Sequence, residues 1–171
     1  YAAWMAILGR SVTVVRIAAL AVFLGINWLV FRNAWRLSGD IRFARLAAFL
    51  TSIHPFLVVE TTTSGYEILS IFTINLFILR ALGYSENPNW KNAVILGAVC
   101  GLAALIKVAL FSLILIFAIY SAILAIWHRK LSYFRYAAAT VLLSVLIVSV
   151  WMERNRRVEG FFSLADPYYL A

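Results

Sequence analysis

Apolar stretches separated by short polar breaks follow one another along the whole chain. They run over Val12 to Phe31, Phe43 to Val59, Tyr66 to Leu82, Ala93 to Ile106, Val108 to Trp127 and Phe134 to Met152. Most approach the length needed to cross a hydrocarbon layer of about 30 Å. The pattern predicts an all-α fold: a polytopic membrane helical bundle of about six transmembrane helices. Read as one helix, Ala93 to Trp127 would be roughly 50 Å long, so the chain is expected to fold back near Lys107. The arm before Lys107 is short, as is the third span. Such helices stop below the bilayer surface and leave a wet recess. His54-Pro55 falls inside the second span, where proline removes an amide donor and predicts a kink. Leu37 to Asp40 and Gly83 to Asn89 carry turn chemistry.

Composition removes the soluble alternative. Hydrophobic residues make up 64% of the chain, charged residues 13%, and the mean hydropathy is +0.93. One core of this size could not hide that much apolar surface from water. The sequence starts at Tyr1 and shows no basic region, short apolar core and cleavage site near it. Residues 1–171 are therefore expected to be a partial transmembrane domain, an internal fragment lacking a first helix, a first outer loop and a C-terminal part. Cys100 is the only cysteine and lies in an apolar run, so it predicts neither a disulfide nor a cysteine metal cluster.

Charge sets an expected orientation. With Tyr1 outside, nine of the fifteen lysines and arginines fall on cytoplasmic segments, densest in Arg32 to Arg45 and Arg129 to Arg135. Six fall outside: Arg10, Arg16, Lys107, Arg154, Arg156 and Arg157. Most acids lean the other way, with Glu60, Glu67, Glu153, Glu159 and Asp166 outside. The net charge of +8 is then largely topological, holding inner loops to anionic lipid, and gives no reason to expect nucleic acid.

The outer cations are the candidate chemistry. Arg154, Arg156 and Arg157 surround Asn155 just after Trp151, an aromatic of headgroup level, and guanidinium groups grip phosphate oxygens bidentately. The run reads either as a phosphate site or as a basic rim against lipid headgroups. Lys107 closes Gly101-Leu102-Ala103-Ala104-Leu105-Ile106-Lys107; at membrane depth an ammonium either snorkels or pairs with an anion. Gly97 and Gly101 have small-xxx-small spacing, which permits close helix approach and would hold Lys107 in place. Glu60 and Glu67 bracket the second outer turn and could orient a sugar hydroxyl or a metal. Ser64-x-x-Glu67 is equally a capping box. No metal site is assigned, since His54 lacks further ligands at metal spacing, and His128 reads as part of the inner basic rim. Gly-rich phosphate loops, nucleophile elbows and zinc-protease motifs are missing from the sequence.

Taken in order, Ala44-Arg45-Leu46-Ala47-Ala48 through Pro55, the Ser64 to Glu67 turn, the Gly101 to Lys107 stretch and Trp151-x-x-Arg154-Asn155-x-x-x-x-Gly160-x-Phe162 resemble polyprenyl-phosphate-dependent membrane glycosyltransferases of the GT-C type. The nearest branch is the dolichyl-phosphate-mannose-protein mannosyltransferase-like and aminoarabinose-transferase-like proteins. The resemblance implies transfer of a sugar from a polyprenyl-phosphate-linked donor to a lipid, glycan or protein acceptor on the outer face of the membrane. It implies inversion and a plasma (inner) membrane location, and leaves a divalent metal cofactor open. Lys107, Arg154 and Asn155 map onto its phosphate-holding positions, and Arg156 joins them on charge. The general base is expected before Tyr1. Val150 stands where the pattern has proline. A flippase or transporter of an anionic lipid would use the same cations, but would favour internal repeats, which the chain lacks. A purely structural membrane subunit would not need the outer cations.

Overall fold

A computed structural model describes residues 12–63, 67–160 and 164. Its regular structure is helical throughout: α1 (Val12–Ser38), α2 (Ile41–Ser52), α3 (Pro55–Thr63), α4 (Glu67–Glu86), α5 (Trp90–Ile106), a 3-10 turn (Val108–Phe111), α6 (Ser112–His128) and α7 (Ser132–Glu159). The all-α membrane class holds. Among the described residues, four helices are long and apolar enough to cross a membrane, and the bent α2–α3 pair makes a fifth. The expected six is slightly high because α5 has 17 residues. At 1.5 Å per residue it measures about 25 Å, short of the hydrocarbon thickness.

The chain divides into two compact units, with the division between Leu79 and Arg80 in α4. In the first unit, α1 continues beyond Phe31, where the apolar run ends, to Ser38. Charged residues at a membrane surface do not end a helix; Gly39 does, at φ +69, a conformation that glycine enters without penalty. Its amide donates to the Trp35 carbonyl at 2.8 Å. Asp40 then caps α2 by accepting the Arg42 amide at 2.7 Å. The expected kink at Pro55 is a full break, with α2 and α3 inclined by 51°. Pro55 takes the first position of α3, where its missing donor costs nothing. Along α1 and α4, Gly25 lies under the Phe72 ring, Asn33 Nδ2 donates to the Asn75 carbonyl at 2.9 Å, and Arg36 Nη1 reaches the Leu79 carbonyl at 3.4 Å. These contacts climb both helices together, so the two run parallel.

In the second unit, α5 and α7 also run parallel. Thr140 Oγ1 donates to the Ala93 carbonyl and Ser144 Oγ to the Gly97 carbonyl, both at 3.0 Å and both across 47 residues. Glycine makes this approach possible. A methyl on Gly97 would sit 2.9 Å from the Thr140 carbonyl oxygen, and one on Gly101 would sit 2.9 Å from Ile147 side-chain atoms. The expected reversal near Lys107 is present, and α6 returns antiparallel to α5 before α7 climbs again.

The turn read at Gly83 to Asn89 is shorter than expected. Helix α4 continues to Glu86 because Tyr84 is fully buried, packed edge-on against Phe117 and Tyr133. Its hydroxyl donates to the Tyr133 carbonyl at 2.9 Å and shares a 3.0 Å bond with Ser121. A buried polar knot of this kind carries a helix past residues whose local chemistry favours a turn. Asn89 then caps α5 through the Asn92 amide at 2.9 Å. The α6–α7 turn puts Arg129 in the left-handed region between the exposed side chains of Trp127 and Leu131.

The parallel seam makes a stability prediction. Gly97→Ala should cost about 1–3 kcal/mol, because the obstructing atom is backbone and cannot rotate away. Thermal unfolding in detergent measures this, with Leu102→Ala on the exposed face of α5 as the milder comparison; an unchanged melting temperature for Gly97→Ala would contradict the close approach.

Candidate functional site

Helix α5 stops at Lys107, whose backbone is extended (φ −149, ψ 124). Two bonds fix that stop: its amide donates to the Ala103 carbonyl at 3.1 Å, and its carbonyl accepts from the Leu110 amide at 2.8 Å. The side chain is half-buried. Lys107 lies ten residues beyond Gly97 and Arg154 ten beyond Ser144, the pair bonded across the seam. Both are therefore carried about 15 Å past the same contact, to the same end of the second unit. Lysine and arginine, 47 positions apart in the chain, are brought to one level by the helix register.

Within the arginine run, each side chain has its own setting. The Arg154 guanidinium sits 5.0 Å from the Trp151 ring centroid, over its face, and its Nη1 donates to Asn155 Oδ1 at 3.1 Å. Asn155 is 5% exposed, so a buried amide oxygen and an aromatic face on the same helix orient the cation. Arg156 and Arg157 turn instead to Glu153. Arg156 Nη2 reaches Oε1 at 2.9 Å and Nε reaches Oε2 at 2.8 Å; Arg157 Nε reaches Oε1 at 2.8 Å. Exposed pairs like these are held weakly and exchange readily for a stronger anion. A recess of ≈ 550 Å³ opens beside them, lined by Ser149, Val150, Glu153, Arg154, Arg157 and Val158. Lys107, Asn155 and Arg156 do not line this recess; the guanidinium groups of Arg154 and Arg157 do, and such groups can grip an anion's oxygens.

The sequence missed the role of Glu153. Its spacing to Arg156 and Arg157, three and four residues, carried the signal, because side chains so spaced share a helix face. The expected carboxylate contacts belong to the first unit. Glu60 is half-buried near the end of α3, and Glu67 stands in the first turn of α4, where a negative charge suits the helix dipole. Ser64, the partner in the expected capping box, lies outside the described residues. His54 is exposed at the α2–α3 break, and His128 stacks on Tyr133 with centroids 5.5 Å apart. No group of three His, Cys, Asp or Glu among the described residues could hold a metal ion.

The family model described as dolichyl-phosphate-mannose-protein mannosyltransferase matches residues 1–152. The chain belongs to this family. It is a membrane glycosyltransferase by descent, and the family implies a polyprenyl-phosphate sugar donor and an acceptor in general terms. No curated protein and no solved structure matches the chain. Glu60, Glu67 and Lys107 fall inside the matched segment of the transferase, whereas Arg154, Asn155 and Arg156 follow it. The packing of α5 on α7 ties Arg154 to the matched part.

The register is directly testable. With Cys100 replaced by alanine, Lys107→Cys and Arg154→Cys should be joined by a short flexible bis-maleimide. Trp90→Cys and Arg154→Cys, at opposite ends of the same helix pair, should stay unlinked on a denaturing gel.

Proposed function

We propose that this transferase passes a sugar from a polyprenyl-phosphate-linked donor to a lipid, glycan or protein acceptor on the outer face of the plasma (inner) membrane, with inversion at the sugar carbon. Lys107, Arg154, Asn155 and Arg156 hold the lipid phosphate. The acceptor atom attacks the anomeric carbon while the carbon–oxygen bond to phosphate breaks, and the departing phosphate takes the electron pair. Its charge rises during this step, so cations already oriented stabilise the transition state more than the ground state. The acceptor's proton passes to a carboxylate base that is none of the described residues. Glu60 and Glu67 are proposed sugar or acceptor contacts.

The observation that carries this reading is the common level of Lys107 and Arg154, set by the hydroxyl–carbonyl bonds of the α5–α7 seam. Arg154 is the stronger contributor because Trp151 and Asn155 orient it in advance. Arg156 must first leave Glu153.

Arg154→Ala should lower turnover of a polyprenyl-phosphate-sugar donor about a hundredfold while the protein remains folded in the membrane, the scale of losing one oriented oxyanion donor. Arg156→Ala should lower it less. Equal activity of the Arg154→Ala protein and the unsubstituted one would refute the phosphate role. The outer-face assignment has its own check: cysteines at positions 67, 107 and 154 should react with an impermeant thiol reagent added to intact cells.

A further inference from the structure

A second cationic feature lies on α1, in the first unit. Trp28, Arg32, Trp35 and Arg36 recur at helical spacing along one stripe. Asn33, buried and bonded to the Asn75 carbonyl of α4 at 2.9 Å, fixes the rotation of α1 and leaves Trp28, Arg32 and Trp35 exposed, with Arg36 at the edge of the α4 contact. The Arg32 guanidinium lies between two indoles, 5.8 Å from the Trp28 centroid and 5.9 Å from that of Trp35. Both rings are largely exposed, at 57% and 43%. Arg36 is steadied by the Leu79 carbonyl at 3.4 Å. A recess of ≈ 330 Å³ is lined by Arg32, Trp35 and Arg36. Asp40, the acid of the adjoining turn, is engaged with the Arg42 amide.

We infer that this stripe is a binding site for the headgroup of an anionic phospholipid in the leaflet where α1 ends. The observations favour lipid over a protein partner. Trp28 and Trp35 lie where the apolar run of α1 gives way to charge, the depth that indole rings occupy in a bilayer. Two arginines one turn apart can bracket a single phosphate, and the flanking rings pack against glycerol and acyl carbons. The site rests on the membrane class of the chain and stands apart from the transfer reaction.

Native mass spectrometry of the detergent-purified protein, equilibrated with phosphatidylglycerol or phosphatidylcholine, tests this. The unsubstituted protein should retain phosphatidylglycerol preferentially, and Arg32→Gln should reduce that retention about fivefold, the share of one arginine near an anionic surface. Arg16→Gln, the same charge change elsewhere on α1, should leave retention nearly unchanged. Equal retention of the two lipids by the unsubstituted protein overturns the site without needing any variant. So does an equal loss in Arg16→Gln and Arg32→Gln, which would mark diffuse attraction to basic surface.

Discussion

The close parallel contact between α5 and α7 is the constraint on which the second unit depends. Helices in lipid gain little from apolar burial against each other, because lipid tails are as apolar as leucine. What holds a pair is the fit of backbone to backbone and the few polar bonds across it. In this pair Gly97 and Gly101 remove the side chains that would keep the axes apart, and Thr140 and Ser144 place hydroxyls on the exposed carbonyls. Each hydroxyl has one proton, which it shares between that α5 carbonyl and one a turn back in α7, at 3.0 Å for Thr140 and 2.8 Å for Ser144. A slide of one residue would break both cross-helix bonds together. The level of Lys107 relative to Arg154 follows from that lock.

The cation cluster shows how one helix can give adjacent arginines different work. Successive residues point about 100° apart, so Arg154 faces Trp151 while Arg156 and Arg157 reach Glu153. Glu153 limits the free positive charge near the membrane and keeps two guanidinium groups extended along the helix. Arg156 and Arg157 thus share one carboxylate, whereas Arg154 lies against a ring face and an amide oxygen.

Membrane helices were legible in the sequence because apolar length alone identifies them. Their ends were less so. Hydropathy falls after Phe31, yet α1 continues to Ser38, since only Gly39 supplies the backbone conformation that stops it. Gly83 to Asn89 reads as a turn, yet Tyr84 draws α4 onward through bonds to Ser121 and Tyr133, partners 37 and 49 residues away. The small-xxx-small spacing flagged Gly97 and Gly101 as a contact face but could not name what fills it. Arginines after Trp151 were visible as a run. Their division between Trp151, Asn155 and Glu153 depends on helix geometry, and their level with Lys107 depends on a register that local sequence does not encode.

The turn between α6 and α7 exposes Trp127 at 80% and Leu131 at 78%, beside His128, Arg129 and Lys130. Indole and basic groups so mixed float at the boundary between headgroups and tails. From Leu131 to Arg154 the chain climbs 23 residues, nearly all within α7, or about 35 Å. That exceeds the hydrocarbon thickness by only a few ångströms. Helix α7 thus has the length of a depth gauge: with its first turn at one surface, its span matches the reach to the opposite headgroup layer at Arg154, and adding or deleting a single helical turn would change that match by about 5 Å.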